Sequence, residues 1–395
     1  MVIVKQVSAK ITRDSRGDKT IFVMIRVNSG TFSASSPNGK SRGKKEAKPY
    51  KKNLEGDIKT LKKFSDYFSQ EKIDCFKDLE KIEDIIKDQV GANTLFALES
   101  CVLKALAKEK KKEVWELLGS KSNTQKGTST FPRLAGNLIG GGKHSSGIKG
   151  SGKKPDFQEF LLIPNLNSVK QSQETNKKIK EKLKIILREE GKNFHNEKTD
   201  EDGWKTSLNE KEVFEILSDF KIPIGTDIAA SSFYKRKKYH YENPLLKRNE
   251  EEQLSYISNL IKNFNLFYIE DPFHEEDFTS FSKLLKKFPD RLIVGDDLVV
   301  TNLKRLEKAI KSKSVNAIIV KPNQIGSLLE VKEVCELAKR KNIKTIFSHR
   351  SGETEENIIA DLAFGLNADF IKTGITGKER EAKINRLIEI QKSLN

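Results

Sequence analysis

Six short apolar runs in the later part of the chain, each closed by a charged or imidazole side chain, constrain its fold more than any other feature. The runs are Ile222 to Gly225, Leu266 to Ile269, Leu292 to Gly295, Ala317 to Val320, Thr345 to Phe347 and Phe370 to Ile371. The polar residues that follow them, at once or after one residue, are Asp227, Glu270, Asp296, Lys321, His349 and Lys372. Successive separations are 43, 26, 25, 28 and 23 residues. A strand, a helix and two short loops consume roughly 25 to 30 residues. The rhythm therefore predicts an α/β fold, a (β/α)8-type barrel whose strand C-termini open on one mouth. Six polar residues in register would then converge in one cavity.

The first region has another texture. β-prone segments at Val2 to Ile11, Thr20 to Val27 and Thr31 to Ser36 precede a glycine-punctuated loop, Pro37-Asn38-Gly39-Lys40-Ser41-Arg42-Gly43. Apolar residues at three- and four-residue steps predict a helix over Ala92 to Lys108. A Gly-, Ser-, Thr- and Lys-rich stretch, Gly119 to Thr130, reads as an interdomain link. The expected organisation is an N-terminal α+β capping domain over 1–125 and a catalytic barrel over 126–395.

Composition narrows the setting. At 36% hydrophobic and 33% charged residues, the chain is too apolar for wholesale disorder, and no apolar run approaches the length of a spanning helix. The opening MVIVKQVSAK reads as a strand rather than a signal sequence. Cys75, Cys101 and Cys335 are isolated, so a reducing, cytoplasmic setting is expected and a disulfide framework is not. The net charge of +17 invites a nucleic-acid reading. Its make-up argues against one, because 59 of the 73 basic residues are lysines scattered beside Glu rather than arginine forks.

Asp227, Glu270 and Asp296 would bring three carboxylates into one pocket, where their repulsion calls for a divalent cation. Oxygen-only donors suit Mg²⁺ rather than zinc. Lys321 and Lys372 would stand beside them, and a lysine near other cations has a lowered proton affinity, as a general base needs. Arg350, beside His349 and followed by Ser351, could hold an anionic group through its fork. The pattern points to metal-assisted proton abstraction next to a carboxylate.

The blocks that carry these residues resemble the enolase family. They are IEDPF (Ile269 to Phe273), GDDLVVTN (Gly295 to Asn302), KPNQIGS (Lys321 to Ser327), SHRSGETE (Ser348 to Glu355) and IKTG (Ile371 to Gly374). DSRG (Asp14 to Gly17), PNGKSRG and VGAN (Val90 to Asn93) extend the likeness to the first region. The resemblance implies that Asp227, Glu270 and Asp296 hold the first of two Mg²⁺ ions and that Ser41 helps ligate the second. It implies Lys321 as the base at C2 of 2-phosphoglycerate and Lys372 as a stabiliser of the enediolate formed. Glu201, helped by Glu159, would protonate the departing C3 hydroxyl. Arg350 and Ser351 would grip the phosphate, flanked by His349, and His144 would close in on a mobile loop. A homodimer or higher oligomer is implied as well. His195, His240 and His274 match no block and read as structural or surface residues.

The chain departs from the family pattern in places. The acid's loop reads Thr199-Asp200-Glu201-Asp202-Gly203 where two further glycines are usual, and Lys40 and Arg42 replace small residues. Two other readings stay open from sequence: an enolase-like homologue with weak or altered activity, and a Lys-rich barrel that mainly binds polyanions.

Overall fold

The computed structural model describes residues 1–40, 43–119, 130–146, 152–190 and 194–394. Ser41, Arg42 and nearly all of the Gly119 to Thr130 link lie outside the described residues. β1 (Gln6–Arg13), β2 (Lys19–Val27) and β3 (Gly30–Ser35) form an antiparallel sheet in that order. Ile21, Val23, Ile25 and Val27 are buried at every second position of β2, and Met24 and Arg26 point outward. α1 (Leu54–Phe64), capped by Asn53, is followed by α2 (Leu79–Ile86) and α3 (Ala92–Lys110). α3 is buried almost throughout from Ala92 to Ala107. A helix apolar on all sides needs cover on all sides, and α3 lies between the β2–β3 sheet and the rest of the chain. The predicted helix over Ala92 to Lys108 thus ends two residues early.

The remainder closes into an eight-stranded barrel. β4 (Arg133–Gly140) and β5 (Glu159–Leu162) open it. α4 (Val169–Glu190), α5 (Glu210–Ser218) and β6 (Ile224–Asp227) follow. A side sheet of β7 (Tyr234–Lys235), β8 (Lys238–Glu242) and β9 (Leu245–Arg248) precedes α6 (Glu250–Phe264) and β10 (Tyr268–Glu270). Regular alternation then runs through α7 (Phe278–Lys287), β11 (Leu292–Gly295), α8 (Leu303–Lys311) and β12 (Ala317–Val320). It ends with α9 (Leu328–Arg340), β13 (Lys344–Ser348), α10 (Ile358–Gly365), β14 (Phe370–Lys372) and α11 (Lys378–Leu394). Inside the strands Ala135, Leu161, Tyr268, Val294, Ile319 and Ile346 make a core of their own.

The barrel is not a uniform β/α repeat. β5 runs antiparallel to both β4 and β6, while the other neighbouring pairs are parallel. The six apolar runs are β6 and β10 to β14. The remaining two strands escape that reading because β4 ends in glycines and β5 begins, rather than ends, with its charged residue. The reversal has a functional effect, since Glu159 pairs with Asp227 at the same end of the barrel.

The first domain docks through a polar seam of α2, α3 and α9. Lys87 Nζ lies 2.6 Å from Glu83 and 2.5 Å from Glu330. Glu99 is fully buried and accepts from Leu328 N at 2.6 Å. Burial, with repulsion from Glu83, pushes the Glu99 carboxyl well above its ordinary range. A raised carboxyl binds its proton more tightly folded than unfolded, so stability falls as pH rises from about the unfolded value of 4.5 towards the folded one. Glu99→Gln is expected to stabilise the protein by on the order of 1 kcal/mol at pH 7. The gain should vanish in melts below the unfolded value. A variant less stable at pH 7 would mean that Glu99 is held as a carboxylate.

Candidate active site

Strand ends bring the predicted residues together. Asp227, Glu270 and Lys372 terminate β6, β10 and β14, and Asp296, Lys321 and His349 directly follow β11, β12 and β13. A cleft of about 480 Å³ is lined by His144, Glu159, Glu201, Asp227, Asp296, Lys321, His349, Arg350, Ser351 and Lys372. Glu270 is fully buried just beneath them and reaches the cleft through Lys372. Glu201 comes from no strand end. Its loop follows α4 and is tied to β4, with Gly140 N donating to Trp204 O and Trp204 N to Leu138 O, at 3.1 and 2.8 Å. Ser41 is outside the described residues, so its expected place is not seen.

Charge pairing organises the floor. Lys372 Nζ stands 2.8 Å from Glu270, 3.2 Å from Glu159 and 3.3 Å from Asp227. Burial opposes the ammonium, but these three carboxylates outweigh it and raise its proton affinity well above normal. Lys321 Nζ hydrogen-bonds Asp296 Oδ2. Burial again opposes, and Asp296 again prevails, so the Lys321 ammonium is held more tightly than an ordinary lysine. The lowered proton affinity expected of Lys321 belongs to a pocket holding its divalent cations; with the protein groups alone the balance is the reverse. Neighbouring cations are present, but the carboxylate in contact dominates them.

Adjoining this cluster, Glu159 and Glu201 stand in contact. Burial and the charge of Glu201 push Glu159 well above the usual range. Burial acts on Glu201 as well, yet the imidazoles of His144 and His349 hold it well below. His144 Nδ1 is 3.6 Å from Glu201 and 3.8 Å from Glu159, and His349 Nε2 is 3.3 Å from Glu201. A proton shared by the pair therefore rests on Glu159.

Over the mouth lies the first domain. Gly39 sits on Arg350 so closely that an added Cβ would stand 1.9 Å from its Nη2. Lys40 N donates to Ser351 Oγ at 2.7 Å, and Arg16 of the DSRG block donates to the same oxygen at 3.0 Å. Glu46 pairs with Arg350 at 2.9 Å and lines the cleft. Arg16, Glu46 and the buried Arg380 belong to the site, but the sequence reading gave none of them a role. Each meets its partner across a long stretch of chain, so no local spacing marks it. Asp271 and Asp297 were also passed over, although they adjoin Glu270 and Asp296 in the quoted blocks.

The loop departures turn out to be mutually supported. Asp202 adopts a left-handed φ of 65° where the family pattern has glycine. Its carboxylate is gripped at 2.6 Å by Lys180, a lysine 1% exposed that also reaches Thr376 Oγ1 at 2.6 Å. Trp204 packs beneath this ammonium and donates its indole N–H to Lys180 O at 3.0 Å. Lys40, the other departure, pairs with Asp200 at 2.7 Å and so bridges the two loops. The loop of Glu201 is stiffened onto α4 rather than left flexible.

Several groups could hold a cation. Asp271, Asp296 and Asp297 offer ligand atoms within 4.8 Å of one another, as do His144, Glu159 and Glu201. Asp227 and Glu270, expected beside Asp296 as metal ligands, both stand within 3.3 Å of Lys372 Nζ. Glu270 Oε1 is nevertheless buried without a hydrogen-bond partner. Burial and the Asp227 charge push its carboxyl up to about 8, and burial with Asp296 pushes Asp297 up to about 7. An oxygen cage this short of positive charge fits a hard divalent cation.

Comparison with known proteins supports the same reading. Residues 128–395 match the family description "Enolase, C-terminal TIM barrel domain". The chain is 35% identical to the enolase of Methanosphaera stadtmanae, over 99% of this chain and 97% of that one. It is 34% identical to the enolase of Natronomonas pharaonis, over 99% of each chain. A shorter stretch, 66% of this chain and 64% of its relative, is 43% identical to the enolase of Pyrobaculum aerophilum. No helix among the described residues is long and apolar enough to cross a membrane. With its strand-end residues, its closed barrel and these relatives in agreement, the chain belongs to the enolase family.

Proposed function

We propose that the chain interconverts 2-phosphoglycerate and phosphoenolpyruvate as a Mg²⁺-dependent hydro-lyase of glycolysis and gluconeogenesis. The observation that carries this is the meeting of Lys321, the Glu159–Glu201 pair and Arg350 around one cleft. In the forward direction Lys321 takes the C2 proton, leaving an enediolate whose negative charge Lys372 faces. Glu201, replenished by the proton resting on Glu159, protonates the C3 hydroxyl, the C3–O bond breaks and water leaves as the C2–C3 double bond forms. Arg350 and Ser351 grip the phosphate, which must take the place of Glu46 on the guanidinium. His144 and His349 face the carboxylate pair and set where its proton rests. Asp227, Glu270 and Asp296 would hold one Mg²⁺, and Ser41 would complete a second site. When bound, the ions would supply the positive field for the doubly charged carboxylate, and Asp296 would serve its ion as well as Lys321.

The reading includes a division into a capping domain over 1–125 and a barrel over 126–395. A homodimer or higher homo-oligomer and a cytoplasmic setting complete it. Purified protein with 2-phosphoglycerate and Mg²⁺ should generate the ultraviolet absorbance of phosphoenolpyruvate and lose it on chelation. No product at saturating Mg²⁺ would overturn the proposal.

A further inference from the structure

One buried guanidinium joins the parts of the cleft that face the carboxylate pair. Arg380 lies in the first turn of α11 and is 2% exposed. Its Nη1 stands 2.6 Å from His349 Nδ1 and donates to Arg350 O at 2.7 Å. Its Nη2 donates to Ser351 O at 2.9 Å and to Asp200 O at 3.2 Å. The His349 ring, the Arg350 and Ser351 carbonyls and the carbonyl of Asp200, which precedes Glu201, are thus held by one planar group.

The contact with His349 has a consequence beyond packing. A guanidinium carries only donors and does not give up its proton in a protein. Nδ1 of His349 must therefore accept, through its lone pair. The neutral ring then carries its single proton on Nε2, which faces Glu201 Oε2 at 3.3 Å. An imidazolium would press an Nδ1–H against the guanidinium N–H. We propose that Arg380 is a positioning residue that locks His349 in the Nε2–H tautomer, so that the ring offers Glu201 a donor and never an acceptor. The charged groups acting on the ring are Glu201, Arg380 and Glu353. Burial lowers its proton affinity to a pKa of about 4, with Arg380 adding to the effect and Glu201 opposing it.

The consequence for catalysis rests on the proposed role of Glu201, whereas the tautomer does not. If the lock is removed, an Nε2 lone pair can face the Glu201 carboxylate, and the protonation step at C3 suffers while proton removal at C2 by Lys321 does not.

The decisive measurement is ¹⁵N NMR of the histidine rings in the full-length protein at pH 7. With only 5 histidines in the chain, His349 is assigned by the signal lost in His349→Asn. The unaltered protein should show His349 as Nε2–H alone. Arg380→Gln, whose amide can accept or donate, should yield a mixture of tautomers. Its turnover to phosphoenolpyruvate should fall about 10- to 100-fold. Exchange of the C2 proton with solvent should persist, with KM changed less. Arg380→Lys, which keeps a donor, should restore the tautomer and most of the turnover. Finding Nδ1–H or imidazolium in the unaltered protein overturns the proposal without any variant. So does a folded Arg380→Gln that keeps pure Nε2–H. Absence of any phosphoenolpyruvate from the unaltered protein would defeat the enolase reading and leave the NMR result to stand by itself.

Discussion

Lys321→Ala should cost between about 10²- and 10⁴-fold in turnover with 2-phosphoglycerate, the range expected for loss of a positioned base. Two features make the result interpretable. Lys321 is paired to Asp296, so removing the ammonium leaves that carboxylate freer to take a cation, and metal loss would not explain the defect. The other buried lysine of the cleft, Lys372, is committed to three carboxylates and cannot take over. Exchange of the C2 proton with solvent should disappear together with product formation, while 2-phosphoglycerate still binds. Unchanged turnover, or exchange that survives, would remove Lys321 as the base.

Lys372→Met should produce two losses that can be measured separately. Turnover should fall by about 10²- to 10³-fold, since a donor aimed at developing negative charge is removed. Stability should also suffer, because the buried cluster of Asp227, Glu159 and Glu270 keeps negative charge even with protons on Glu159 and Glu270, and loses its counter-ion. Breaking a buried ion pair costs about 3 to 5 kcal/mol. Denaturant melts should show a loss of that order in chelator, with part of it regained in saturating Mg²⁺ as the carboxylates find another cation. The deficit should shrink as pH falls, because protonated carboxylates no longer repel. A variant as stable as its parent in chelator would mean that the cluster around Lys372 carries no net negative charge to be compensated.

The strand-end residues were legible because each is a local signal: an apolar run, then one polar side chain, repeated at one spacing. β5 was not, since its polar residue comes first and its direction is reversed. Glu201 was legible only through the family pattern, as an acidic loop in isolation reads as solvated surface. Arg380 was invisible because it meets His349 across 31 residues of chain, and Glu46 because Arg350 lies 304 residues away. The pairing of Lys321 with Asp296 was hidden for a related reason. Sequence displays which charges are gathered at a mouth, but not which one touches the ammonium.

The reversed second strand also separates the site from a part of the chain's own connectivity. Because Glu159 stands at the start of β5, the strand's far end is on the opposite side of the barrel, where it passes into the exposed Asn165, Leu166 and Asn167. The barrel residues assigned to the cleft are carried by strand ends and loops at the other pole. New chain ends opened at this bend, with the original ends joined by a linker, would leave the proton-transfer geometry untouched. Changes of chain order at that pole should therefore cost stability before they cost catalysis.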